Sequence, residues 1–177
     1  MLAPHRYQPF YCEENVYHLC GHPEVADCSP AAVFIRGLGA HVAMWGQRLA
    51  QRPAEPVIWD YHVVLLTRRP WRIWDLDTRY ACPLAADTYL RRSFRPRLKL
   101  RADLAPWFRV VDAAELARTF ASDRSHMRTP DGGWTAPPPD WPPIGAGNTL
   151  HRYLDRNDAV AGEILDLPGL LARIQRS

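Results

Sequence analysis

The chain has 177 residues, 47% hydrophobic and 23% charged, a globular composition that excludes wholesale disorder and collagen-like or coiled-coil chains. Its longest apolar runs, such as residues 63–66, fall far short of the ~20 residues of a membrane helix. The net charge of +3 is too mild to demand a nucleic-acid partner.

Residues 1–10 lack an apolar h-region, so no signal peptide is expected and the expected location is cytoplasmic. There thiols stay reduced, so Cys12, Cys20, Cys28 and Cys82 read as free, packing or catalytic rather than as disulfides. Residues 12–20 predict a helix, because Cys12, Val16, Leu19 and Cys20 share one face. Glu13 and Glu14 occupy its first turn, and Gly21 stops it. Residues 31–36 predict a strand. Residues 56–66 predict a central strand, apolar on both faces. Residues 67–70 read as a turn and 71–77 as the next strand, making a hairpin.

Further on, residues 87–94 predict a helix opened by Asp87, 97–101 an edge strand and 107–111 another strand. Asp112-Ala113-Ala114-Glu115 resembles a capping box, opening a helix through Phe120. The Pro- and Gly-rich segment 129–147 predicts an extended surface loop. Residues 162–175 predict a short strand and then a helix with Asp166 at its N-cap. No repeat and no domain boundary is visible, so one domain over residues 1–177 is expected. A helix followed by strands interspersed with short helices favours an α+β class.

The hairpin carries the first chemical signal. With residues 67–70 as the loop, Leu66 opposes Trp71 and His62 opposes Asp75 on the same face. A two-residue shift offers Asp77 to His62 instead. A carboxylate at one ring nitrogen fixes the tautomer and leaves the other nitrogen to take a proton from a nucleophile. Cys12, at a helix N-terminus, is the nucleophile candidate, with first-turn amides nearby for an oxyanion. Glu13 and Glu14 work against a low thiol pKa. The plainer reading makes Cys12 a packing residue and His62–Asp75 a structural pair.

Several blocks, in order, then resemble one family, the protein N-terminal glutamine amidohydrolases. They are Tyr11-Cys12-Glu13-Glu14-Asn15, residues 57–66, Asp75-Leu76-Asp77-Thr78, Asp87-Thr88-Tyr89, and residues 120–127, followed by the Pro-rich stretch. The resemblance implies deamidation of an N-terminal glutamine side chain to glutamate and ammonia, without metal or organic cofactor. It carries the nucleophile onto Cys12, the histidine onto His62 and the acid onto Asp75. It implies a transglutaminase/papain-like core, with a helix-borne cysteine on an antiparallel sheet carrying His and Asp, and a role in N-degron processing. Expected partners are proteins or peptides with a free N-terminal Gln, not nucleic acid or membrane, and a monomer is expected. Recognition of the α-ammonium needs carboxylates or carbonyls, for which Glu14, Asp60 and Asp123 are candidates, with Ser122 in the same block as Asp123. The plainer reading makes each a structural carboxylate capping or bracing a loop; His126 reads as a second polar site group or, more plainly, as a loop hydrogen-bonding histidine.

Other signals are weaker. His18, Cys20 and His22 match no common zinc spacing. Arg91, Arg92, Arg95, Arg97, Lys99 and Arg101 form the densest basic run, explained by solvated surface or by a binding role. Trp59, Trp71 and Trp74 read as core, with a substrate-pocket wall as the alternative for one of them. Two other function classes remain: a related thiol acyl-transfer enzyme of transglutaminase type, and a non-catalytic basic module binding nucleic acid or protein.

Overall fold

The computed structural model describes residues 5–176; residues 1–4, within the stretch read for a leader, lie outside the described residues. Eight strands are formed among the described residues: β1 (Ala31–Gly37), β2 (Val42–Met44), β3 (Val57–Trp59), β4 (His62–Arg68), β5 (Trp71–Trp74), β6 (Leu84–Ala85), β7 (Pro106–Asp112) and β8 (Glu163–Asp166). Five α-helices accompany them: α1 (Cys12–Cys20), α2 (Ala86–Phe94), α3 (Ala113–Thr119), α4 (Leu150–Tyr153) and α5 (Leu167–Gln175). Six strands make one antiparallel sheet in the order β6-β5-β4-β1-β7-β8, and β2 pairs with β3 apart from it. The class is α+β.

Strand alternation sorts the apolar residues into two cores. Val33, Ile35, Val64, Leu66, Ile73, Phe108 and Val110 pack against Tyr89, Leu90 and Phe94 of α2 and Leu170, Leu171 and Ile174 of α5. Ala32, Phe34, Val63, Leu65 and Val111 face the other way, onto Cys12, Val16 and Leu19 of α1, Leu116 of α3, and Leu150 and Tyr153. Because β1 and β4 are buried on both faces, their sequences read as continuous apolar runs. No helix among the described residues is long and apolar enough to cross a membrane.

Several elements fall where the sequence puts them. Gly21 ends α1, its N–H turning back to the His18 carbonyl and the next N–H, of His22, to the Leu19 carbonyl. Asp166 caps α5 by accepting from Gly169 N at 2.8 Å, with Pro168 in the first turn. Segment 129–147 contains no strand or helix.

The differences are informative. The segment 56–66 is not one strand: it breaks at Asp60 and Tyr61, so that β3 joins β2 and β4 restarts at His62. The hairpin register differs by two residues from the sequence expectation. Arg68 pairs with Trp71 and Leu65 with Trp74, because Thr67 and Arg68 stay in the ladder and only Arg69 and Pro70 make the turn. Residues 97–101 form no strand. Leu98 N bonds back to Arg95 O, and the sheet edges are supplied by β6 and β8. Asp112 precedes α3 but makes no side-chain cap; its carboxylate instead pairs with Arg68 at 2.7 Å. β2, β6 and α4 are elements that local patterning did not reveal.

Candidate active site

α1 starts at Cys12 and packs against β4, so the thiol sits beside the strand that begins at His62. Cys12 and His62 both line a cavity of about 810 Å³, together with Phe10, Trp59, Asp60, Tyr61, Asp77, His126 and Asn148. Phe10, two residues before the cysteine, has φ +69°, a left-handed backbone that is unusual for a bulky side chain and typical of sites the fold holds under constraint.

His62 Nε2 lies 2.9 Å from Asp75 Oδ1, with both side chains 1% exposed. Among the described residues His62 Nδ1 has no hydrogen-bond partner, and Trp59 stacks on the ring with centroids 5.1 Å apart. In the observed ladder, continued pairing would set Asp77, not Asp75, opposite His62. β5 ends at Trp74, however, and Asp75 leaves the ladder in a turn closed by Thr78 N to Asp75 O and by Asp77 N to Asp75 Oδ1. The turn brings the Asp75 carboxylate back to the imidazole.

A buttress holds that turn. Gln47 Nε2 donates to Asp75 Oδ2 at 2.9 Å, and Tyr89 OH on α2 donates to the same oxygen at 2.8 Å. Gly46 has φ +74°, and a Cβ there would meet the Tyr80 ring at 2.1 Å. Its carbonyl accepts from Arg79 N and Thr78 Oγ1. The positive φ and the close approach both require glycine.

The electrostatics follow from burial and neighbours. Burial opposes protonation of His62, but the charge and hydrogen bond of Asp75 outweigh it and raise the ring pKa. Burial likewise opposes ionisation of Asp75, and the imidazole, Gln47 and Tyr89 outweigh it, lowering that carboxyl. The Cys12 thiol is pushed well up, by burial first and then by the negative charges of Glu13 and Asp77, against a weaker pull from the Val63 backbone.

The other sequence candidates separate. Glu14 is fully buried and accepts from Arg124 Nε and Nη2, Ser122 Oγ and Trp141 Nε1, at 2.8–3.1 Å. Glu14 and Ser122 therefore brace α1 against the 122–141 segment and do not line the cavity. Asp60 lines it, but its side chain is 83% exposed and lies 3.1 Å from His41. Asp123 is exposed and accepts from Ser125 N. His126 lines the cavity, with Nε2 3.3 Å from Glu13 Oε1.

Sequence reasoning passed over Gln47 and gave Tyr89 no role, although Tyr89 lies in one of the matching blocks. Gln47 carries no local signal, since only tertiary folding brings residues 46–48 against residues 77–79.

Two groups of donors could be considered for a metal. His62, Asp75 and Asp77 offer ligand atoms within 4.8 Å of one another, as do His5, His22 and Glu24. In the first group His62 Nε2 and Asp75 Oδ1 are already bonded to each other, and Asp75 Oδ1 also accepts from Asp77 N. His18, Cys20 and His22 do not form such a group among the described residues. In the basic run, Arg91 pairs with Asp87, Arg101 with Asp103, Arg92 lies over Tyr80 and Arg95 over Trp45. These side chains are engaged within the chain.

Comparison with known proteins adds a second, independent line. Residues 7–174 match a family model described as N-terminal glutamine amidase. A protein N-terminal glutamine amidohydrolase of Arabidopsis thaliana is 36% identical over 168 residues, spanning 89% of this chain and 76% of the relative. The protein of the same name from Drosophila ananassae is 39% identical over 159 residues, spanning 85% and 77%. The one from Drosophila mojavensis is 38% identical over 159 residues, with the same coverage.

Proposed function

The chain belongs to the N-terminal glutamine amidase family, and on that premise we propose that it hydrolyses the side-chain amide of an N-terminal glutamine through a thioester on Cys12. The products are an N-terminal glutamate and ammonia. The observation that carries the mechanism is the state of His62. One ring nitrogen is held by Asp75, and the other is buried, unpartnered and in the same cavity as the thiol.

Burial and the charges of Glu13 and Asp77 push the thiol pKa up and so favour its protonated form in the free enzyme. His62 Nδ1 therefore acts as general base while sulfur attacks the amide carbon, rather than resting in a standing thiolate–imidazolium pair. Asp75 fixes the tautomer that presents Nδ1 as acceptor and stabilises the imidazolium that forms. The tetrahedral oxyanion takes the first-turn amides of α1, which have no acceptor within the helix. His62 returns the proton to the departing nitrogen, and ammonia leaves. It then takes a proton from water, whose oxygen attacks the thioester carbon, releasing glutamate and the thiol.

Architecture supports the same reading: a nucleophile on a helix N-terminus against an antiparallel sheet that carries the histidine fits a transglutaminase/papain-like core. Four free thiols suit a reducing, cytoplasmic setting.

The test is ammonia release from a Gln-initiated peptide, beside the same peptide acetylated and one with internal Gln. The free-terminus peptide turns over and the controls do not. Equal rates on all three would overturn N-terminal specificity.

A further inference from the structure

Glu13 follows the nucleophile in the first turn of α1, and its side chain is fully buried. Its Oε2 accepts from Tyr61 OH at 3.0 Å and lies 3.7 Å from Cys12 Sγ. Among the described residues its Oε1 has no hydrogen-bond partner. His126 Nε2 lies 3.3 Å from it, outside hydrogen-bond alignment but an ion-pair contact whenever the imidazole is protonated. The contrast with Glu14, one residue on, is sharp: that carboxylate meets four donors. A buried carboxylate oxygen without a donor is costly, and folds keep such groups where a ligand completes them. Cys12, Tyr61 and His126, which surround Glu13, all line the cavity.

The substrate supplies what is lacking. In an N-terminal glutamine the α-nitrogen and the side-chain amide carbon are four bonds apart, at most ~5 Å. That carbon must come within ~3–3.5 Å of sulfur to react. Glu13 Oε2 is 3.7 Å from Sγ, and the unpartnered Oε1 belongs to the same carboxylate, so the group is within reach of the ammonium when the amide is seated on the thiol.

We propose that the Glu13 carboxylate binds the α-ammonium of the substrate and is the group that restricts turnover to a free N-terminus. This rests on the function proposed above. Binding also changes the nucleophile. Burial is the first cause of the raised thiol pKa, and the Glu13 charge is the second. An ammonium beside Glu13 cancels that charge, so the correct substrate removes part of what keeps Cys12 protonated. Acetylated or internal glutamine brings no such cation. The acids that line the cavity itself, Asp60 and Asp77, are less suited. Asp60 is screened by solvent and beside His41, and Asp77 already accepts from Tyr7 OH at 2.6 Å.

The experiment compares a Gln-initiated peptide with its des-amino analogue, whose first residue keeps the side-chain amide but has hydrogen in place of the amine. The wild type, Glu13→Gln and Asp77→Asn are assayed for ammonia release, with circular dichroism to establish folding. The wild type favours the amine peptide in kcat/KM by roughly 30-fold or more. In Glu13→Gln most of that ratio is lost, by a fall on the amine peptide and little change on the analogue. A folded Glu13→Gln that keeps the wild-type ratio overturns the inference, as does loss of the ratio in Asp77→Asn alone. If Glu13→Gln does not fold, the wild type still decides: equal turnover of both peptides overturns the inference while leaving glutamine hydrolysis intact. No ammonia from the amine peptide overturns the proposed function and this inference with it.

Discussion

His62 Nε2 stands 2.9 Å from Asp75 Oδ1 in a fully buried pair, and the opposite ring nitrogen is left without a partner. Removing the charge from Asp75 while keeping its shape frees the ring to present the wrong tautomer. Asp75→Asn therefore lowers kcat for glutamine hydrolysis by about 10³–10⁴-fold with KM little changed. Steady-state kinetics on a Gln-initiated peptide measures this, and a kcat within tenfold of wild type, roughly a 1.4 kcal/mol effect, contradicts the role.

The same pair fixes a pH dependence of stability. The His62 pKa is raised from 6.5, so its contribution is complete below that value and is lost as pH rises through the folded pKa. The Asp75 pKa is lowered from 3.8, so its contribution is present above that value and is lost as pH falls through the folded pKa. The pair stabilises the fold most between pH 3.8 and 6.5. The Tm difference between wild type and Asp75→Asn is expected to be widest in that window and to narrow on the alkaline side. A difference that is flat, or widest at alkaline pH, contradicts the assignment.

Burial and the neighbouring Glu13 charge push the Cys12 thiol pKa well up, which favours the neutral thiol in the free enzyme. Alkylation of Cys12 by iodoacetamide, followed by peptide mass spectrometry to separate it from the other three cysteines, is expected to be slow at neutral pH and to climb beyond the ordinary thiol value of 9.0. Glu13→Gln moves the profile to lower pH, because it removes a negative charge next to sulfur. A fast reaction at neutral pH in the wild type contradicts the general-base step.

Glu14 and Arg124 form a buried ion pair that ties α1 to the chain beyond α3. Arg124 reaches it from a left-handed backbone (φ +64°) and also donates to the carbonyls of Pro139 and Trp141. Glu14→Ala leaves the guanidinium buried without its counter-charge, at a cost of about 3–5 kcal/mol. Denaturant unfolding measures it, and a loss under about 1 kcal/mol, the scale of an exposed pair, contradicts the structural role.

Much of the fold was legible because its signals are local. Helical periodicity marked α1, Gly21 its end, Asp166 the start of α5, and long apolar runs the double-buried β1 and β4. The breaks were not legible. Nothing in residues 56–66 distinguishes a continuous strand from one that changes sheets at Asp60, since that depends on β2, a three-residue strand paired far along the chain. Asp75 was singled out as the partner of His62, but by a register the structure shifts by two. The contact survives because Asp75 turns out of the ladder. Gln47, which holds that turn, belongs to a loop whose packing is wholly tertiary. Glu13 was visible as a charge near the thiol. Its unpaired oxygen was not, because pairing depends on how Tyr61 and His126 arrive from other elements.

The most direct measurement follows the first residue of a Gln-initiated peptide by mass spectrometry, with wild-type protein and Cys12→Ala in parallel. The wild type is expected to convert N-terminal glutamine to glutamate with equimolar ammonia, and Cys12→Ala to leave the peptide at background. Conversion by Cys12→Ala at the wild-type rate, or an intact peptide after incubation with the wild type, would contradict hydrolysis by the Cys12 thiol.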